Sequence, residues 1–339
     1  MTPRGRSLAF TRLGFGGAPL GNMNRALSEA DAEATVEAAW DAGLRYFDTA
    51  PLYGHGLSET RIGRVLRGRP RGEFLISTKV GRVLEPCAPG EEGSGIFHDT
   101  PPLKVRFDYT RDGVMRSFEA SLDRLGLPEV DILYVHDLEL PTHATAEVYE
   151  TRIRELTDGG GWRALDELSS SGAVTAIGLG VNDAAACERL LGLYDPDLFL
   201  LAGRYTLLEQ APLHGLFPAC EARGVGVIGG GPFNSGVLVR SAGSYNYAAA
   251  PPQILARVER LAAVCRRFSV PLATAALQFA GAHPVVVSVI PGGQSAAEVT
   301  ANVAMLDAPV PAALWAALKD EGLIDPAAPT PRQGAMAPC

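Results

Sequence analysis

Lysine is nearly missing from this 339-residue chain: Lys79, Lys104 and Lys319 stand against 27 arginines. Cysteine is scarce too. The five (Cys87, Cys187, Cys220, Cys265, Cys339) are far apart, odd in number and form no C-x-x-C pair, which argues against a disulfide framework or a zinc site, so no metal is expected. No apolar run approaches a membrane span; the longest β-rich one, VVVSVI at 285–290, is strand-sized. The start, MTPRGRSLAFTRLGFGG, has arginines but not the apolar stretch of a signal peptide, so the expected location is the cytoplasm. Charge blocks and polar low-complexity tracts are absent. With 38 acids against 30 bases the net charge is −8, and neither nucleic acid nor a membrane surface is an expected partner. Oligomeric state is not legible.

What is present is apolar material for a large core, 47% of residues, with 38 Gly and 25 Pro scattered without period, as many tight connections require. Length allows two ordinary domains or one barrel. Eight β-rich runs decide between them: 13–18, 44–49, 73–78, 130–136, 174–180, 197–203, 225–230 and 285–290. Several are apolar almost throughout, as strands buried on both faces should be. Helical patterns alternate with them. The first opens with Ser28 as a cap and closes on Gly43; others cover 58–67, 111–126, 160–172, 184–194, 214–224, 252–268 and 296–306. This predicts an α/β fold, a single (β/α)8 barrel over 1–306, with a C-terminal helix and tail over 307–339. Long connections at 80–110, 137–159 and 231–251 all follow strands and so fall on the C-terminal face. A doubly wound sheet is disfavoured, because the glycines of LGFGGAPLG precede the helix at Ser28 by about ten residues instead of opening it.

In a barrel, polar groups at strand C-terminal ends are functional candidates. Strand two ends in Asp48, with Tyr53 just beyond; strand three leads to Lys79 and strand four ends in His136. Each alone has an ordinary structural explanation. Together they bring four proton-handling or charged groups to one rim.

The segments FDTAPLYGHGLSET, LISTKVGR and DILYVHDLE resemble the aldo-keto reductase superfamily, over about residues 8–306. The resemblance implies a (β/α)8 barrel, a nicotinamide cofactor and a catalytic tetrad at Asp48, Tyr53, Lys79 and His136. A free tyrosine has a pKa of about 10. A nearby ammonium should favour its phenolate and a carboxylate should hold that ammonium, so Tyr53 could move a proton while a neutral His136 orients the reacting oxygen. For the cofactor, the resemblance points to Asn182 for the nicotinamide amide, with Val181 where a serine is usual, and to Tyr205 as a stacking aromatic. It also points to the loop GGGPFNSGVL (229–238), with Gly230, Pro232, Asn234 and Gly236, against a pyrophosphate. In IPGGQSAAEVTAN (290–302), Gly292, Gly293 and Glu298 occupy positions where NADPH-preferring relatives have Lys, Ser and Arg, and Asn302 matches an adenine contact. Losing cations and gaining an acid predicts NAD over NADP.

Further likeness, through GFGGAPLGN (14–22), RGEFLISTKVGR (71–82), RFDYTRDGVMRSFEASLDRLGL (106–127) and VDILYVHD (130–137), is to aldose 1-dehydrogenases of the L-fucose or D-threo-aldose type, L-galactose dehydrogenase and pyridoxal 4-dehydrogenase. It implies oxidation of a sugar's hemiacetal hydroxyl to a lactone, with Asn22, His98 and Phe107 as substrate contacts. The alternatives are pyridoxal, which also forms a hemiacetal, a broad aldehyde or ketone reductase, and a cofactor-sensing regulatory subunit.

Overall fold

The computed structural model describes residues 7–239 and 244–331. Among these, eight parallel strands form one sheet in chain order: β1 (Phe15–Gly16), β2 (Tyr46–Asp48), β3 (Leu75–Val80), β4 (Ile132–His136), β5 (Ala176–Val181), β6 (Leu198–Ala202), β7 (Gly226–Gly230) and β8 (Val286–Ile290). Its two edges meet. Gly14 N donates to Val289 O at 2.9 Å, Gly16 N to Pro291 O at 3.1 Å, and Val289 N to Arg12 O at 2.9 Å, which closes the barrel. The predicted runs were a residue or two wide at most ends, since strand pairing stops before the apolar pattern does.

Two apolar layers explain those runs. Side chains pointing inward, among them Tyr46, Ile132, Tyr134, Leu198, Leu200, Ile228 and Ile290, fill the barrel. Those pointing outward meet the helices in a second, larger core. Helix starts follow local chemistry: Ser28 accepts from Asp31 N, Thr110 from Gly113 N and Ser295 from Glu298 N, each an N-cap that answers an otherwise unpaired amide.

The connections hold more structure than the sequence pattern conveyed. An antiparallel hairpin, Arg82–Pro86 with Leu103–Phe107, occupies 80–110; a helix, Ala146–Leu156, occupies 137–159; and a small hairpin, Ser244–Tyr245 with Ala248–Ala249, occupies 231–251. Between β7 and β8 the helix Leu272–Ala280 adjoins the expected Pro252–Arg267. It is apolar almost throughout because most of it is buried, with Thr274, Ala275, Ala276, Leu277, Phe279 and Ala280 all covered. The helix Ala312–Asp320 buries Leu314, Trp315 and Leu318, and Leu323, Ile324 and Ala328 continue that contact. Four cysteines are free; Cys339, the end of the tail and the first six residues lie outside the described residues.

Candidate active site

Strands β2 to β4 bring Asp48, Tyr53, Lys79 and His136 together. Lys79 lies on β3 with its side chain 1% exposed, beside Gly180 of β5, where a Cβ would come within 3.3 Å of Lys79 Cε. That glycine leaves room for the stem. Lys79 Nζ donates to Asp48 Oδ2 at 2.7 Å, Thr49 O at 2.9 Å and Tyr53 Oη at 3.0 Å. An ammonium has three donors and no acceptor, so all three are used and Tyr53 Oη accepts. The phenol's own proton is thereby left for another partner. Asp48 Oδ1 accepts from Ser77 Oγ at 2.7 Å, and Ser77 is paired with Tyr46 Oη at 2.9 Å, a support the sequence reading missed. The His136 ring stands edge-on to Tyr53, with centroids 5.7 Å apart.

The electrostatics correct one expectation. Burial raises Tyr53 well above its ordinary value, Asp48, Tyr247 and Asp137 push it further, and Arg82 opposes them. With burial as the largest cause, the resting side chain is a phenol instead of a phenolate. Burial also pushes the Asp48 carboxyl up, against Lys79 and Ser77. His136 is pushed down to about 3 by burial, with Lys79 and Arg82 adding to the effect and Asp137 opposing it, so the imidazole is neutral at pH 7.

A cleft of about 960 Å³ opens beside Asp48 and Tyr53 and is lined by Asn182, Gly230, Pro232, Asn234, Gly236, Gly292, Glu298 and Asn302. Glu139 anchors Asn182, accepting from its backbone N at 2.5 Å and its Nδ2 at 3.3 Å, which leaves the amide oxygen for a ligand. Asn234 is buried and donates Nδ2 to Gly203 O at 3.0 Å, while its Oδ1 has no partner among the described residues. A Cβ on Gly292 would come 2.7 Å from Pro19 Cγ, so a long cation has no room there unless Pro19 moves. Gly293 sits behind it, toward Val299. Glu298 Oε2 accepts from Gln294 N at 2.8 Å, completing with Ser295 an S-x-x-E cap for helix Ala296–Asp307. One carboxylate oxygen is thus committed to the fold. Arg25 lines the same cleft, with Nε 3.0 Å from Gln294 Oε1.

Four expected contacts fall elsewhere. Tyr205 offers no face for stacking, because the chain turns at Gly203 and its ring packs on Phe217 and Phe279, with centroids 4.9 and 5.2 Å away. Asn22 is consumed by the fold: Oδ1 accepts from Arg61 and Leu27 N, and Nδ2 donates to His98 O. His98 is exposed. The Phe107 ring is covered by the Arg82 guanidinium at 4.5 Å and by His143 at 4.9 Å. The loop aromatic beside Tyr53 is instead Phe97, 6.5 Å away between ring centroids, and Tyr247 lines the cleft from the small hairpin. Asp137 directly follows His136 and Glu139 lies two residues further on, so the rule that finds the histidine could find both. Tyr247 and Arg25 carried no such signal.

Comparison with known proteins places this geometry. Residues 12–321 match the Aldo/keto reductase family. The pyridoxal 4-dehydrogenase of Microbacterium luteolum is 43% identical, over 94% of this chain and 95% of its own length. The D-threo-aldose 1-dehydrogenase of a Pseudomonas species is 41% identical over 96% of each. Among solved structures, an aldo-keto reductase from Bacillus halodurans in its holo form superposes with a TM-score of 0.70 at 25% identity, covering 92% of each chain.

Proposed function

As the chain belongs to the aldo/keto reductase family and is an oxidoreductase, we propose that it oxidises the C1 hemiacetal hydroxyl of an aldose, of L-fucose, L-galactose or D-threo-aldose type, to a lactone with NAD. The observation that carries this reading is the hydrogen-bonded chain Asp48–Lys79–Tyr53 beside a neutral His136 at the mouth of a cofactor-sized cleft. The cleft suits a dinucleotide: it has a glycine-rich wall and a buried, unanswered amide oxygen on Asn234. Asn182, Gly230, Pro232, Asn234, Gly236, Gly292, Glu298 and Asn302 would hold it. When bound, the oxidised nicotinamide supplies a hydride acceptor and a positive charge.

The chain's own work is positioning and proton traffic. For oxidation Tyr53 first gives up its own phenolic proton to solvent, Lys79 stabilises the charge left on Oη through the 3.0 Å hydrogen bond, and Oη then takes the proton of the reacting hydroxyl. His136 donates a hydrogen bond to the substrate oxygen and fixes its approach. NAD is favoured because Glu298 keeps one oxygen free as an acceptor and Gly292 leaves no space for a phosphate-binding lysine. Arg25 is the opposing influence.

A second reading, oxidation of pyridoxal, is favoured by the 43% identity to a pyridoxal 4-dehydrogenase. The deciding experiment follows absorbance at 340 nm with NAD or NADP and L-fucose, L-galactose, D-arabinose or pyridoxal. The expected outcome is NADH formation with at least one sugar and faster turnover with NAD. Turnover of pyridoxal alone transfers the assignment to the second reading, and no reduction with any of the four overturns both.

A further inference from the structure

A second buried ion pair lies against the same histidine. An Arg82 guanidinium nitrogen is 2.7 Å from Asp137 Oδ2, with side chains 14% and 11% exposed, and the same carboxylate oxygen is 3.5 Å from His136 Nε2. Burying such a pair is expensive, and apolar replacements of similar size are often as stable or more so. The backbone is also unusual there, since Asp137 adopts φ 52° in the left-handed region. Strain of this kind persists where the surroundings enforce it, often at functional sites. The guanidinium lies 4.5 Å over the Phe107 ring, which fixes its plane.

The pair distinguishes the two neutral forms of the imidazole. His136 Nδ1 is buried and has no hydrogen-bond partner among the described residues. A proton there would be an unanswered buried donor, and it would turn the Nε2 lone pair toward the Asp137 carboxylate. A proton on Nε2 faces that carboxylate instead. At 3.5 Å the contact is too long to consume the N–H, which stays available to a substrate oxygen. We propose that Arg82 and Asp137 are positioning residues that keep the proton of His136 on Nε2, an inference that rests on the role assigned to His136 above. Arg82 holds the carboxylate, the carboxylate selects the tautomer, and the tautomer presents a donor to the reacting oxygen.

The test is long-range proton–nitrogen NMR of the 15N-histidine-labelled full chain, with His136 assigned by its loss in His136→Gln. The expected wild-type pattern is protonation at Nε2. Asp137→Gly accepts the left-handed backbone and should give a mixture of tautomers; Asp137→Asn, which removes the charge with least change of shape, serves where the glycine variant does not fold. Arg82→Met should shift the mixture in the same direction. With an active substrate, kcat of the Asp137 variants should fall at least about tenfold, since a misplaced imidazole proton disables such a site, while NADH affinity by fluorescence stays within about threefold. A purely structural pair would lower Tm and leave the tautomer unchanged. A wild-type proton on Nδ1, or an unaltered pattern in the Asp137 variants, overturns the proposal. The spectrum needs no substrate, so failure of the dehydrogenase reading is seen separately, as absent turnover with an Nε2-protonated histidine.

Discussion

On the β2–β4 side of the rim, Lys79 has used all three of its donors and both oxygens of Asp48 are answered. Across the barrel, on the β5–β8 side, Asn234 keeps a buried oxygen without a partner among the described residues, and glycines line open space. The proton-handling groups are therefore set before any ligand arrives, whereas the binding wall is completed by one. Substitutions on the first side should cut the rate with little effect on affinity; substitutions on the second should change what binds.

The largest expected effect is Tyr53→Phe. It removes the transferable proton and leaves the ring in place, so NAD reduction should drop by about 10²–10⁴-fold, the usual worth of a general acid or base. NADH affinity, measured by fluorescence, should change little. Turnover within about tenfold of wild type would remove the contrast between the two sides, because Tyr53 would then be only a wall of the cleft.

That contrast also marks what the sequence could convey. The strands were legible because burial on both faces writes an unbroken apolar run, and the tetrad because each member stands at or just past a strand end. Tyr205 misled for a physical reason: a tyrosine two residues beyond a strand can turn toward the cleft or toward the helices, and only the Gly203 turn and the waiting Phe217 and Phe279 rings decide. Asn22 is expected from the sequence as a substrate contact, but Leu27 close by and Arg61 and His98 from distant segments take up its hydrogen bonds. Asp137, next to a strand end, is legible by the rule that finds His136, but Arg82 is not, because its place beside Asp137 depends on the hairpin Arg82–Pro86 with Leu103–Phe107, whose pattern reads as a loop.

An intermediate effect concerns stability on the wired side. His136 titrates at about 3 when folded, against about 6.5 in an unfolded chain. Above pH 6.5 neither state carries the proton and the residue contributes nothing to the pH dependence. As pH falls below that value the unfolded chain takes up a proton that the folded one refuses, so stability declines by up to about 1.4 kcal/mol per pH unit until the folded pKa is reached. His136→Phe should flatten the loss between pH 6.5 and 4 in urea titrations. A slope identical to wild type would mean that the imidazole is hydrated enough to titrate normally, and that this side of the rim is less closed than its hydrogen bonds imply.

The smallest effect belongs to the binding wall. Glu298→Ala should lower the preference for NAD over NADP by about three- to tenfold, on the scale of 1 kcal/mol, because Arg25 then faces the cleft without a competing carboxylate. The same change removes the hydrogen bond from Gln294 N that steadies the start of helix Ala296–Asp307, while the Ser295 cap on the backbone N of residue 298 stays, and should cost about 1 kcal/mol of stability, which could disturb the site indirectly. Glu298→Gln separates the two causes, since an amide oxygen can still accept from Gln294 N but carries no charge. If charge sets the preference, both variants shift the ratio of kcat/KM values alike while only the alanine variant loses Tm. If the alanine variant alone shifts the ratio, cap geometry governs cofactor choice. An unchanged ratio in both assigns selectivity to Arg25 and the space around Gly292, and the wall is then as fixed before binding as the tetrad is.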